Sequence, residues 1–291
     1  MASTAPLDRY CVLGHPVAHS RSPWIHACFA RLTGQALSYD ACDMTPDGFA
    51  DGLNALIASG VRGCSITVPF KHLAARLAQH LSPRCQLAQA ANVLSLKDGQ
   101  IWADNTDGIG LVTDIVQHAG VSLRGIRLLL IGAGGAAAGI LGPLIDSRPA
   151  HIGVTNRTLH RAQSLVESHQ ALASLQGVEL QALDLQAVPS VQTMERPFDV
   201  VINATACSLQ GAGVPVGGHV LGRGALAYDL MYGPQAQGFL DWARQHGAVP
   251  RDGLGMLVEQ AAEAFLIWRG VRPPTVDVVA QLRDRWHTLL I

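Results

Sequence analysis

The segment Gly132-Ala133-Gly134-Gly135-Ala136-Ala137 directly follows the apolar run Arg127–Ile131 and opens an Ala/Gly-rich stretch that reaches about Asp146. Its spacing fits G-x-G-x-x-G/A, and that pattern between a strand and a helix leaves the chain few choices of fold. The first glycine permits a tight turn, the second lets backbone approach a pyrophosphate, and the small third residue allows helix and strand to pack closely. The helix N-terminus then faces the negative charge. Gly132, Ala133, Gly134, Gly135 and Ala136 are thus candidate pyrophosphate contacts. The same region, from Leu128 to Ile145, is an uncharged run long enough to raise a membrane span. Its five glycines and one proline argue instead for a strand, a turn and a helix.

The alternation around this turn predicts an α/β chain of two domains. Tyr10–Leu13, Leu37–Asp43, Gly63–Ile66 and Val93–Leu96 read as strands, with helices at Pro23–Leu32, Pro46–Ile57 and His72–His80 between them. That order favours a mostly parallel sheet with covering helices. Asp107–His118 reads as a helix linking the domains. From Ile126 a second set follows, with strands to Ile131 and at Ile152–Thr155, Val178–Ala182, Asp199–Asn203 and Ala225–Asp229. The stretch Gln210–Gly224, with six glycines, reads as a flexible loop. Leu254–Arg269 and Thr275–Leu289 read as helices that return to existing structure. The expected division is residues 1–107 with 254–291 as one domain and 108–253 as a Rossmann-type dinucleotide-binding domain.

The end of the strand after the glycine turn indicates which dinucleotide. NAD sites place Asp or Glu there to hold the ribose 2′-hydroxyl. This chain has Thr155-Asn156-Arg157-Thr158, with Arg161 one turn on. Asn156 does not repel a 2′-phosphate, and Arg157 pairs with one, so NADP is the expected cofactor.

Composition excludes several other classes. Hydrophobic residues make up 48% and charged residues 15%, as in a globular core, and a net charge of −1 offers no footprint for nucleic acid or an anionic membrane. Six scattered cysteines without a C-x-x-C pair suit reduced thiols and a cytoplasmic setting. No H-E-x-x-H occurs, and the close pair His15 and His19 has no nearby acidic or cysteine ligand, so no metal is expected. Nothing in the residues separates a monomer from a homodimer.

Only two lysines occur against nineteen arginines. Lys97 lies in Leu96-Lys97-Asp98-Gly99, which reads as an exposed hairpin turn. Lys71 ends Thr67-Val68-Pro69-Phe70-Lys71. Arginine stays charged at any accessible pH, whereas a lysine amine loses and regains a proton when its surroundings shift it. Composition alone leaves codon bias and chemistry level as explanations for Lys71.

Read together, His19-Ser20-Arg21-Ser22-Pro23, the Lys71 segment, Asp104-Asn105-Thr106-Asp107-Gly108 and Asp252-Gly253-Leu254-Gly255-Met256-Leu257-Val258-Glu259-Gln260-Ala261 closely resemble the shikimate dehydrogenase family. The resemblance runs from Val12-Leu13-Gly14-His15-Pro16 to the C-terminal helices. It implies NADP-dependent interconversion of shikimate and 3-dehydroshikimate, a step of chorismate and aromatic amino-acid biosynthesis, in a cleft between two α/β domains. Carried over by motif, it implies that Ser20, Ser22 and Tyr232 hold the substrate carboxylate and that Thr67, Asn92, Asp107 and Gln260 bind ring hydroxyls. By the same resemblance Lys71 and Asp107 are expected to form the catalytic pair and Gly253 to join the cofactor site. Hydride transfer from an alcohol needs a proton acceptor at the reacting oxygen, a task a lysine beside a carboxylate can perform.

Two departures bear on substrate range. Ser65-Ile66-Thr67 stands where the family commonly has Asn-Val-Thr, and Asn92-Val93 where it commonly has Asn-Thr. Ser65 is shorter and lacks an amide, so a hydrogen bond that shapes the pocket is expected to be missing or water-mediated. Two alternatives stay open at this point: a paralogue that oxidises quinate or a related cyclic polyol, and a non-catalytic nucleotide-binding regulator. Serine capping before Pro23 is a structural role that Ser20 and Ser22 can also fill, and Asn105 can serve as a turn or cap residue.

Overall fold

Strand β1 (Asp8–Gly14) forms where apolar Tyr10, Cys11, Val12 and Leu13 are covered on both faces, each 4% exposed or less. In the computed structural model, which describes residues 7–185, 196–205 and 213–285, this strand is central to the first of two compact units. That unit contains the residues up to Asp107 together with Val258–Arg285; the second is Gly108–Leu257.

In the first unit, β1 is followed by α1 (Ser22–Thr33), β2 (Leu37–Asp43), α2 (Phe49–Ala58) and β3 (Val61–Ile66), with β2, β1 and β3 paired in parallel. After α3 (Lys71–Leu77), β4 (His80–Leu81) and α4 (Pro83–Ala88), the chain changes direction. β5 (Val93–Lys97) runs antiparallel to β3, and β6 (Gln100–Asp104) antiparallel to β5. The sheet order is β2-β1-β3-β5-β6-β4. The β5–β6 turn is Asp98-Gly99, with φ of 51° and 72°, the left-handed pair that a two-residue hairpin requires. Because β5 is reversed, its start at Val93 lies beside Ser65 near the end of β3 and beside Asp104 at the end of β6. One rim of the sheet thereby gathers Gly14, Thr67, Asn92 and the turn Asn105-Thr106.

From Gly108 the second unit carries the rest of α5 (Asp107–Thr113) and a π-helical turn Asp114–His118, then β7 (Arg127–Ile131), α6 (Gly135–Asp146), β8 (His151–Asn156), α7 (Leu159–Gln176) and β9 (Glu179–Asp184). β10 (Phe198–Asn203), β11 (Leu221–Asp229), α8 (Gln237–Gln245) and β12 (Val249–Arg251) follow. All six strands are parallel in the order β12-β11-β10-β7-β8-β9. Leu128, Leu130, Ile152, Val154, Val200 and Ile202 fill one side of this sheet, and Leu129, Ile131, Val201 and Ala227 the other. Strand order reverses between β7 and β10, and ligands of such sheets sit outside the carboxyl ends at that reversal. A side chain at Gly108 would stand 2.5 Å from Pro143 Cγ and 2.8 Å from the Gly139 carbonyl oxygen. Glycine there lets the segment opened by Asp107 lie directly on α6.

At the edge of this unit, Asp114 is fully buried and receives Arg251 through Nε at 2.8 Å and Nη2 at 2.6 Å, and the Tyr228 hydroxyl at 2.7 Å. Helix α9 (Leu254–Arg269) starts against this cluster; its residues Val258–Arg269 belong to the first unit, as does α10 (Val276–Asp284).

Several sequence expectations need correction. Helix α3 ends at Leu77, and His80 pairs with Trp102 as a short strand. The helix expected over Asp107–His118 changes to π-helical turns at Asp114. Part of the expected loop Gln210–Gly224 is ordered: a 3₁₀ turn covers Gly218–Val220 and β11 begins at Leu221. Residues 210–212 of that loop, 286–289 of the last helix, and Cys207 lie outside the described residues. Helix α1 begins at Ser22 with Arg21 at its N-cap and no side-chain cap; Ser20 Oγ instead accepts the Ser22 N–H at 3.3 Å.

The first unit also buries a histidine that no chemistry there uses. His26 is 1% exposed, and neither ring nitrogen has a hydrogen-bond partner among the described residues. Its ring stacks on Tyr39 at 4.1 Å and 3°, with Phe29, Phe265 and Trp268 around it. Burial pushes its pKa down from 6.5 to about 3. The unfolded chain therefore binds a proton below pH 6.5 that the folded one refuses, and stability is lost as pH falls from 6.5 toward 3. Between pH 7 and 5 the loss from this group is about 2 kcal/mol. Urea unfolding across that range is expected to show the slope, and His26→Phe, which keeps a ring against Tyr39, to remove most of it.

Candidate active site

Seven of the expected substrate and catalytic residues belong to the first unit. Lys71 opens α3 immediately after the β3 loop, and its Nζ donates to Asp107 Oδ2 at 2.5 Å. The two side chains are 19% and 6% exposed, so water screens the pair little while the amine stays reachable. Asp107 is held from its other oxygen as well. Asn92 Nδ2 donates to Asp107 Oδ1 at 2.8 Å and to Thr106 Oγ1 at 2.9 Å, and lies 3.2 Å from Gln260 Oε1. Asn92 Oδ1 accepts the Thr106 N–H at 2.8 Å, and Thr106 Oγ1 donates to the Gln260 carbonyl at 3.0 Å. Lys71, Asn92, Asp107 and Gln260, widely separated in sequence, thus form one bonded group.

The turn that presents Asp107 is itself fixed. Asn105 Oδ1 accepts the Asp107 N–H at 3.1 Å, and Asn105 Nδ2 donates to the Ala90 carbonyl at 2.9 Å. Asp104 accepts the Asn105 N–H at 2.7 Å, the Ser82 hydroxyl at 2.5 Å, and Arg84 through Nε at 2.6 Å and Nη2 at 2.9 Å. Burial works to raise the Asp104 carboxyl, but the bonds from Arg84 and Ser82 outweigh it and hold the group below the usual carboxylate range. Composition and spacing gave no sign of Asp104, Arg84 or Ser82 as supports, because their contacts depend on the β5–β6 reversal.

Thr67 lies on the same rim: its N–H donates to the Leu13 carbonyl at 2.9 Å, and its methyl packs over Gly14. Ser20 lies on the loop His15–Arg21 after β1 and Ser22 opens α1 directly behind it; the loop is tied down by His15 Nδ1 to Asp43 at 2.6 Å and by the Val17 N–H to Asp43 at 3.0 Å. Ser65, one of the two departures, is itself bonded in the structure. Its hydroxyl takes the Tyr39 phenol at 2.7 Å in a buried contact, and Tyr39 also reaches the Ser22 hydroxyl. Val93 is a buried strand residue, 1% exposed.

The cofactor candidates fall at the carboxyl ends of strands in the second unit. Gly132 follows β7 with φ 116°, and a side chain there would stand 3.0 Å from Ala204 backbone at the end of β10. Gly134 is the N-cap of α6, with no side chain capping the helix and open space where its own side chain would stand. Ala137 is fully buried against the sheet. These residues fit a pyrophosphate: a helix N-terminus without a side-chain cap, a bare approach and a helix dipole in one place. Asn156 ends β8 and donates through Nδ2 to the Thr158 carbonyl at 3.0 Å, which shapes the turn that leaves Arg157 exposed; Arg161 is exposed in the first turn of α7. Tyr232 follows β11. The Gly253 N–H donates to the Met231 carbonyl at 2.9 Å, and a side chain at Gly253 would meet Leu230 oxygen at 2.3 Å. Asn203 was not foreseen, yet its amide joins the ends of β10 and β11 by donating to Asp229 at 3.2 Å. Among the described residues no group of three or more His, Cys, Asp or Glu could hold a metal.

Comparison with known proteins identifies the family. Residues 12–94 match the model of the shikimate dehydrogenase substrate binding domain, 114–210 that of shikimate/quinate 5-dehydrogenase, and 253–283 that of the shikimate 5′-dehydrogenase C-terminal domain. The shikimate dehydrogenase (NADP(+)) of Acidovorax sp. (strain JS42) is 62% identical over 280 residues, covering 96% of this chain and 97% of that protein. The chain belongs to the shikimate dehydrogenase family. Among solved structures of related proteins, an Ael1 enzyme from Pseudomonas putida superposes with a TM-score of 0.85 at 42% identity, over 94% of this chain and 98% of that one. A Thermus thermophilus shikimate 5-dehydrogenase solved with NADP(H) and shikimate gives 0.80 at 30% identity, over 96% and 99%. No helix among the described residues is long and apolar enough to cross a membrane.

Proposed function

We propose that this chain interconverts shikimate and 3-dehydroshikimate with NADP, using Lys71 and Asp107 to move the proton. The observation that carries the reading is the Lys71–Asp107 contact at 2.5 Å, set inside a network whose other members, Asn92, Thr106 and Gln260, are fixed from several sides. Bound NADP supplies the hydride acceptor or donor. In the oxidative direction the alcohol proton must leave as the carbonyl forms, and Lys71 Nζ takes it. Asp107 stabilises the ammonium that results and, bonded to Asn92 on its second oxygen, cannot swing away. In reduction the same ammonium returns the proton.

Ser20 and Ser22 bind the substrate carboxylate, and Thr67, Asn92, Asp107 and Gln260 the ring hydroxyls. The Tyr39–Ser65 pair lines the position of the missing amide. In the second unit Gly132–Ala136, Asn156, Arg157, Thr158, Arg161 and Gly253 hold NADP. Asn156→Asp combined with Arg157→Leu is expected to raise KM for NADP⁺ by about 10-fold or more, since it adds repulsion and removes a charge-assisted contact to the 2′-phosphate. KM for NAD⁺ should change much less.

The deciding experiment is a panel of steady-state rates on shikimate and quinate with NADP⁺ and NAD⁺. Greatest kcat/KM for shikimate with NADP⁺ supports this function. Faster turnover of quinate with NAD⁺ would overturn the substrate assignment, and no turnover of either substrate would favour the regulator.

A further inference from the structure

Beyond the site itself lies a chain of alternating charges in the first unit. Asp104 binds Arg84, Arg84 reaches Glu263 at 3.3 Å, Glu263 binds Arg272 at 2.7 Å, and Arg272 binds Glu259 at 2.8 Å. Arg84 is 26% exposed, Glu263 15% and Glu259 2%, while Arg272 is half-exposed at 37%. Each end of the chain touches a piece of backbone that carries an active-site residue. Asp104 fixes the Asn105 N–H at the start of the turn that presents Asp107. Glu259 and Glu263 flank Gln260 on α9, at one residue before it and one helical turn after it.

Resting on the dehydrogenase reading above, we propose that Arg84 is a positioning residue that sets Asp107 relative to Gln260. Its guanidinium grips the turn through Asp104 and the helix through Glu263. The fork takes both Asp104 oxygens, leaving Nη1 at 3.4 Å and Nη2 at 3.3 Å from Glu263. Lysine, a single point charge, cannot hold two carboxylates in that geometry. The bonds that this alignment preserves are Asn92 to Gln260, at 3.2 Å, and Thr106 to the Gln260 carbonyl, at 3.0 Å. Among the described residues Arg272 pairs with carboxylates of α9 alone, Glu259 and Glu263, and its loss leaves the Asp104–Arg84 fork intact. The two arginines should therefore fail differently. Loss of Arg84 frees the turn that carries the proton-transfer carboxylate, and displacement of a reacting group by about 1 Å costs on the order of 100-fold in rate. Loss of Arg272 loosens Gln260 and with it the hold on the substrate ring.

The test is steady-state kinetics of Arg84→Ala, Arg84→Lys and Arg272→Met at a temperature where circular dichroism shows all of them folded. Arg84→Ala is expected to lower kcat by about 10- to 100-fold with KM for NADP⁺ within about twofold of the starting protein. Arg84→Lys should recover little of the loss. Millimolar guanidinium should restore part of kcat to Arg84→Ala, and none to Arg84→Lys, whose side chain fills the space. Arg272→Met is expected to raise KM for shikimate with kcat nearly unchanged. A folded Arg84→Ala with kcat within twofold of the parent would overturn the proposal. So would a kcat loss that simply follows the fraction unfolded and ignores guanidinium. If the parent turns over quinate and not shikimate, the substrate assignment fails, and the same kcat and rescue arms read on quinate still decide the role of Arg84.

Discussion

Lys71→Ala will lower kcat by about 10²- to 10⁴-fold, the usual worth of a positioned acid–base group, while NADP binding, followed by fluorescence, stays intact. Lys71→Arg should be nearly as damaging. It keeps the positive charge beside Asp107 but cannot give up a proton at any accessible pH. The comparison matters because a fixed cation could also polarise the reacting oxygen. Near-normal kcat in Lys71→Arg would show that charge alone suffices and that the proton leaves by another path. Asp107→Asn should fall in the same range as Lys71→Ala. It removes the carboxylate that takes both Lys71 and Asn92, and an amide nitrogen in either position faces a donor. Two losses of similar size that do not add in the double variant would mark the two residues as one unit.

Gly255→Ala will cost stability rather than chemistry. A methyl group at this position would stand 1.9 Å from Asp114 Oδ1 and 2.3 Å from its carboxyl carbon, so the carboxylate must move. Asp114 is completely buried and holds the Arg251 fork and the Tyr228 hydroxyl; breaking a buried ion pair of this kind costs about 3–5 kcal/mol. A fall in Tm of roughly 10 °C follows for a unit of this size. Gly238→Ala is the control. It lies in the first turn of α8 with open space where the side chain would go, and it should leave Tm unchanged or slightly higher. An unchanged Tm for Gly255→Ala would mean that the Asp114 cluster has room to shift.

The glycines of Gly253-Leu254-Gly255 were visible as a motif, but their physical reasons were not. One accommodates the Leu230 carbonyl and the other a carboxylate more than a hundred residues away. The glycine turn after β7 was legible because the evidence is local: an apolar strand, a left-handed turn and a small-residue helix follow one another. The hairpin at Asp98-Gly99 was legible for the same reason. Its second strand was missed although Gln100–Asp104 alternates, with Ile101 and Ala103 buried and Trp102 half exposed. Helix α4 was missed because it has only six residues; Ser82 caps it by accepting the Cys85 N–H. Helix α7 was missed because its 18 residues bury little beyond Ala162, Leu165, His169 and Ala173.

In the candidate site, the residue types with intrinsic chemistry were readable and their supports were not. Lys71 and Asp107 stood out through motif and charge. Arg84 and Glu263 are 179 residues apart and look like ordinary surface charges until the fold brings them together. Ser65 could be read only as a loss. That Tyr39 supplies a hydroxyl there depends on β1 lying between β2 and β3, which places the two residues on neighbouring parts of one sheet face.

The hairpin of β5 and β6 has a practical consequence for handling the enzyme. It holds Lys97 on an exposed turn, while the only other lysine is Lys71. Amine-directed reagents therefore meet two side-chain targets of very different kind, besides the chain's amino terminus. Acetylation or reductive methylation read by peptide mass mapping should mark Lys97 quickly and without regard to substrate. Marking of Lys71 should slow when shikimate is present, so that a single peptide reports occupancy of the site. Coupling through Lys97 offers an attachment point on a solid support that leaves the Lys71 amine untouched.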